Sequence, residues 1–136
     1  KEIWESSKKV GLFTVLIIAV VAFVGAIVSP LIISLVYGNQ YSDINGLMMA
    51  LWFMHFLNAG LRMLPMNILP AIGHTKFNVV LAFSSCLLHF VIDYVSINYY
   101  GINGAVIAGC IVYLLTSCCY WMYLKKVTVG IREEKA

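Results

Sequence analysis

Arg62, His55, His89 and Asp93 stand inside stretches that are otherwise almost wholly apolar. An arginine stays charged at every physiological pH. Its planar fork can hold a phosphate or carboxylate through two parallel hydrogen bonds, a geometry lysine cannot copy. His89 precedes Asp93 by four residues, so on a helix the two meet and can share a proton or face a cation together. They are the candidate ion or proton relay, with Ser85 one turn further. His55, Asn58 and Arg62 are separated by three and four. A regular helix stacks them on one stripe, and they form the candidate substrate-binding cavity. At a rise of about 1.5 Å per residue, Arg62 and Asp93 fall about 15 Å apart along the membrane normal, and no direct ion pair is expected. Structural roles stay open for each residue. Arg62 can snorkel or pair with another helix, His89 and Asp93 can form a local hydrogen bond, and His55 and Asn58 can bridge helices.

The elements that hold these residues follow from composition. The chain has 136 residues, 62% hydrophobic and 11% charged. A soluble domain is about half apolar and a quarter charged, and a chain this short cannot hide such an excess from water. The class is an all-α integral membrane protein. Four apolar runs reach the roughly 20 residues that a membrane helix needs: 10–36, 47–69, 77–97 and 102–124. Pro30 is expected to kink the first. Residues 1–136 read as one transmembrane segment with no separate soluble domain. Because the chain opens on Lys1 in a polar stretch, "KEIWESSKKVG", it is expected to be a piece of a larger protein.

Several chemistries find no support. Cys86, Cys110, Cys118 and Cys119 lie within apolar runs without CxxC spacing, so they read as small helix residues and no metal is expected. No phosphate loop and no Ser–His–Asp or Cys–His arrangement is suggested, which argues against an enzyme, and no cofactor is implied. The formal charge of +3 reports topology rather than nucleic-acid binding.

Arg62 sets a constraint on its neighbours. The second run holds nine Leu, Ile or Phe residues, together worth about −3 to −5 kcal/mol on insertion scales. A central arginine removes about 2.5–3.5 kcal/mol of that. This helix must be shielded by others or line a wet cavity. The fourth run offers a shielding surface. Gly101, Ala105 and Gly109 are spaced by four, as are Gly104 and Ala108. Small residues so placed let helix backbones approach closely in lipid, and Ala105 and Gly109 are expected to carry that contact. Tyr37, Tyr41, Tyr99, Tyr100, Trp121 and Tyr123 fall near the interfaces and read as aromatic belts.

Three stretches suggest a family: "SLVYGNQY" (34–41), "ILPAIGHTKFNVV" (68–80) and "YYGINGAVIAGCI" (99–111). Their order and spacing resemble the C-terminal four helices of polysaccharide (O-antigen type) flippases. These belong to the multidrug/oligosaccharidyl-lipid/polysaccharide exporter superfamily, which includes the MATE efflux proteins. The resemblance runs from about residue 8 to 125. It implies twelve to fourteen helices in two lobes around a central cavity, worked by alternating access. It also implies partners: a lipid-linked glycan, membrane lipids and the remaining helices, with no nucleic acid. The alternatives are MATE-like drug or cation export, for which only Asp93 supplies a buried carboxylate, and a non-transporting membrane scaffold.

Charge sets the orientation. Lys1, Lys8, Lys9, Lys76, Lys125, Lys126, Arg132 and Lys135 all fall on one side of a four-span zigzag. The joints 37–46 and 98–101 hold no Lys or Arg. The positive-inside rule then puts both termini in the cytoplasm of a cell-membrane protein. In a cysteine-free background, Asp43→Cys is expected to react with an impermeant thiol reagent in intact cells. Reaction only after lysis reverses the orientation.

Overall fold

The computed structural model describes residues 2–130. Lys1, Arg132 and Lys135, counted in the charge pattern, lie outside the described residues. Four long helices account for nearly all of the rest: α1 (Glu2–Tyr37), α2 (Asn45–Ala71), α3 (Thr75–Tyr100) and α4 (Ile102–Gly130). Each is long and apolar enough to cross a membrane. There is no strand among the described residues.

The helices outrun the apolar runs that betray them. α1 begins eight residues before the uncharged stretch and continues through Pro30. Its first turn carries Glu2 and Glu5, which suit the positive end of a helix dipole. Lys8 pairs with Glu5 at 2.9 Å on the exposed surface, a contact worth no more than about 0.5 kcal/mol. At about 1.5 Å per residue, 36 residues exceed a bilayer core of about 30 Å. Hydropathy marks the part of a helix that suits lipid, not the whole helix. The joint at 37–46 is also more ordered than a loop. Asn39–Ile44 forms a turn and more of 3₁₀-helix between α1 and α2.

α4 is the centre of the bundle. Its apolar stretch is far more buried than that of the other three helices. It touches α1, α2 and α3, and its interfaces with α2 and α3 are both extensive. α2 lies between α1 and α4. The helix ends that carry Lys8, Lys76 and Lys125 meet in one cluster. Leu69, Tyr120 and Leu124, fully buried, pack there with Trp4, Met66, Phe77, Trp121 and Tyr123. Phe77 and Tyr123 stack at 3.7 Å between ring centroids.

At the opposite end, Gly101 alone separates α3 from α4. Its φ of 59° and ψ of −141° belong to a region open essentially to glycine. A side chain here has free space but the wrong backbone. Gly104 shows the reverse. It is buried, and a Cβ built on it would fall onto the Ser96 carbonyl of α3. The small-residue face therefore divides its labour. Gly104, Ala108 and Gly109 are buried in packing, Ala105 is half-buried, and Gly101 makes the turn. Gly109 leaves room for Met54 of α2.

Four hydroxyls inside the bundle are satisfied on their own helices. Ser29, Ser85, Thr116 and Thr128 donate to carbonyls three or four residues back on their own helices, at 2.6–2.8 Å. Overpacking a well-packed site costs about 1–3 kcal/mol. Gly104→Leu, pressed on backbone rather than on a yielding side chain, is expected to reach or exceed that and lower the thermal midpoint in detergent. Gly46→Ala, with open space around it, is expected to leave the midpoint unchanged.

Candidate functional site

The site begins with a missing hydrogen. In a regular α-helix, residue 65 donates its N–H to the carbonyl of Leu61. Pro65 has none. α2 is distorted just before it. Residues Leu57–Arg62 form a π-helical stretch, and the Met63 N–H reaches back five residues to the Asn58 carbonyl. The stranded Leu61 carbonyl is taken by α4, whose Trp121 indole N–H donates to it at 2.8 Å. An unpaired buried acceptor costs about 1–3 kcal/mol. That bond fixes the α2 register against α4 beside Arg62.

The wider turn changes which residues share a face. Arg62 Nη1 donates to Asn58 Oδ1 at 3.1 Å, so these two remain together. His55 lies before the distortion and is exposed. It faces another groove, with Met48, Leu51, Trp52 and Met54, and meets the Trp52 ring edge-on at 6.3 Å. The expected single stripe of His55, Asn58 and Arg62 assumed uniform helical pitch, and the π-helical stretch breaks it.

Arg62 opens on a cavity of about 490 Å³ bounded by α2, α3 and α4. Ser85, His89, Phe90, Asp93 and Tyr113 also line it. The guanidinium carbon lies 5.4 Å from the Tyr113 ring centroid, a cation–π distance. Tyr113 in turn meets the His89 ring at 6.1 Å. His89 Nδ1–H donates to Asp93 Oδ2 at 2.6 Å. The order along the cavity is therefore Arg62, Tyr113, His89, Asp93. The two expected groups, substrate residue and relay pair, share one cavity. No ion pair joins Arg62 to Asp93 among the described residues.

Two polar atoms in this row lack a hydrogen-bond partner among the described residues: Arg62 Nε and Asp93 Oδ1, both buried. His89 and Asp93 are each about a third exposed, at 31% and 30%. The cavity can thus accept a ligand from its open side and offers an N–H at one end and a carboxylate oxygen at the other. Among the described residues no three His, Cys, Asp or Glu side chains stand together as metal ligands would.

Sequence reasoning missed Tyr113, which carries no charge and has the look of any apolar helix residue. It also did not foresee the bonds of Trp121 and Tyr123. Both were expected as interfacial belts, and each also bridges elements: Trp121 to Leu61, and Tyr123 to the turn residue His74 at 3.2 Å. Tyr120 donates to Asn78 of α3 at 2.7 Å, and Trp52 to Ser29 of α1 at 2.6 Å. An aromatic N–H or O–H next to a proline-bearing helix was the available signal. Tyr37, Tyr41, Tyr99 and Tyr100 are exposed near helix ends, as belts require.

No known protein family, curated protein or solved structure matches this chain.

The account of Leu61 is tested by a double-mutant cycle. Trp121→Phe keeps the ring and removes the donor, and is expected to destabilise the protein by about 1–3 kcal/mol in reversible detergent unfolding. Pro65→Ala restores an N–H to α2 and is expected to recover part of that loss in the Trp121→Phe background. Strict additivity of the two changes contradicts the account.

Proposed function

We propose that this chain is part of a membrane exporter of the polysaccharide flippase type. In this reading it supplies the last four helices and moves a lipid-linked oligosaccharide across the cytoplasmic membrane by alternating access, both termini on the cytoplasmic side. The observation that carries the reading is the Arg62 cavity. A permanent cation is held at the wall of an apolar bundle, steadied by Asn58 and Tyr113, and left with an N–H unsatisfied. A purely structural arginine gains most by pairing with a carboxylate, and Asp93 lines the same cavity without doing so. A diphosphate-linked substrate is the kind of anion a guanidinium recognises through paired hydrogen bonds. The protein makes no covalent bond in this scheme. It binds the head group, reorients around it and releases it on the other side. The order of the three motif stretches supports the same reading. One observation favours the second reading, cation export: Asp93 keeps a buried carboxylate oxygen unpartnered.

The test is complementation of a flippase-deficient strain with protein abundance measured in parallel. Arg62→Ala is expected to insert at normal abundance and to lose at least tenfold of glycan export, and Arg62→Lys to recover only part. Full export by Arg62→Ala assigns the residue to snorkelling or packing. Intact glycan export together with loss of cation efflux in Asp93→Asn favours the second reading.

A further inference from the structure

We propose that the Arg62–Asp93 cavity selects a zwitterion: a ligand with an anionic phosphate or carboxylate at one end and a primary ammonium at the other. The proposal rests on the reading of this cavity as the substrate site. Its own ground is the separation of opposite charges. Arg62 and Asp93 line one cavity and do not pair. Each is held by a partner on its own helix, Asn58 for Arg62 and His89 for Asp93, and the Tyr113 ring stands in the row between them. Each keeps one buried polar atom unfilled, an N–H donor on Arg62 and a carboxylate oxygen on Asp93.

An apolar bundle penalises both charges, and the simplest relief is mutual neutralisation. Asn58 and Tyr113 hold Arg62 in place without cancelling its charge, and His89 engages only one of the two Asp93 carboxylate oxygens. The pair of valences left over is that of a bipolar partner, an acceptor-bearing anion against Arg62 and a donor-bearing cation against Asp93. A simple anion satisfies the first and leaves Asp93 uncompensated. A simple cation does the opposite. A ligand hydroxyl can donate to Asp93 but cannot neutralise it. An ammonium does both. A phosphorylated amino sugar and an ethanolamine phospholipid head group share this chemistry, and the experiment separates them.

The protein is purified into nanodiscs of phosphatidylglycerol, and binding of three matched soluble probes is measured by calorimetry: glucosamine 6-phosphate, glucose 6-phosphate and glucosamine. Glucosamine 6-phosphate is expected to bind at least tenfold more tightly than either of the others. Asp93→Asn, which preserves the side-chain shape, is expected to abolish the advantage over glucose 6-phosphate. Arg62→Gln is expected to abolish the advantage over glucosamine. Nanodiscs containing phosphatidylethanolamine are expected to leave the affinity unchanged if the occupant is an amino sugar, and to lower it by competition if it is the lipid head group. Equal binding of glucose 6-phosphate and glucosamine 6-phosphate overturns the proposal and identifies His89 with Asp93 as a self-neutralised pair. Absence of binding by all three also overturns it. Neither result touches the exporter reading, which stands or falls on glycan export by the Arg62 variants in cells.

Discussion

Inside hydrocarbon a backbone carbonyl has no water to turn to, and Pro65 leaves one on α2 without its helical donor. The protein answers with the indole N–H of Trp121, delivered from α4 at 2.8 Å. Much else follows from that one bond. It sets the register of α2 against the central helix. It allows the wide π-helical turn just before it to persist as a fixed shape. It holds the stretch that carries Arg62 against the wall formed by Tyr113. Trp121 is itself seated by Trp4 of α1, edge-on at 6.1 Å, so the bond is secured by a third helix.

The same economy governs the rest of the bundle. Helices in lipid gain little from hydrophobic association, since the surrounding tails are as apolar as leucine. Their contacts here are of two kinds. One is close approach, where Gly104 lies on the backbone of α3 and Gly109 admits Met54. The other is hydrogen bonding donated by aromatic side chains, from Trp52, Tyr120 and Trp121. An aromatic donor brings a large apolar body with a single polar tip, so its approach to a neighbouring helix leaves little polar surface to satisfy.

The helices were legible in the sequence because apolar runs of membrane length have few other readings. Their ends were not. Glu2–Lys9 is helical for reasons of dipole and side-chain pairing that hydropathy does not register. Arg62, Asn58, His89 and Asp93 announced themselves as polar groups in apolar surroundings; Arg62, His89 and Asp93 line one cavity, and Asn58 is bonded to Arg62. The stripe that included His55 failed because uniform pitch was assumed across a segment that Pro65 and the wide turn distort. Tyr113 and Trp121 were hidden for a different reason. Their importance comes from what another helix lacks, a carbonyl's donor or a cation's shield, and a single element read alone does not show its neighbour's deficits.

The one-residue joint at Gly101 bears on how the chain enters the membrane during synthesis. α3 and α4 emerge as a tight hairpin whose arms touch along most of their length. α2 emerges earlier, with Arg62 exposed to whatever surrounds it. Tyr113 and Trp121, the groups that shelter Arg62 and complete the backbone beside it, lie on α4, which is synthesised after α2. Stable residence of α2 in the bilayer is therefore coupled to the arrival of α4. A nascent chain halted after α3 holds a charged helix with no shelter from α4, a substrate for the quality-control machinery that extracts poorly settled segments. Assembly of this bundle is a matter of order in time as well as contact in space.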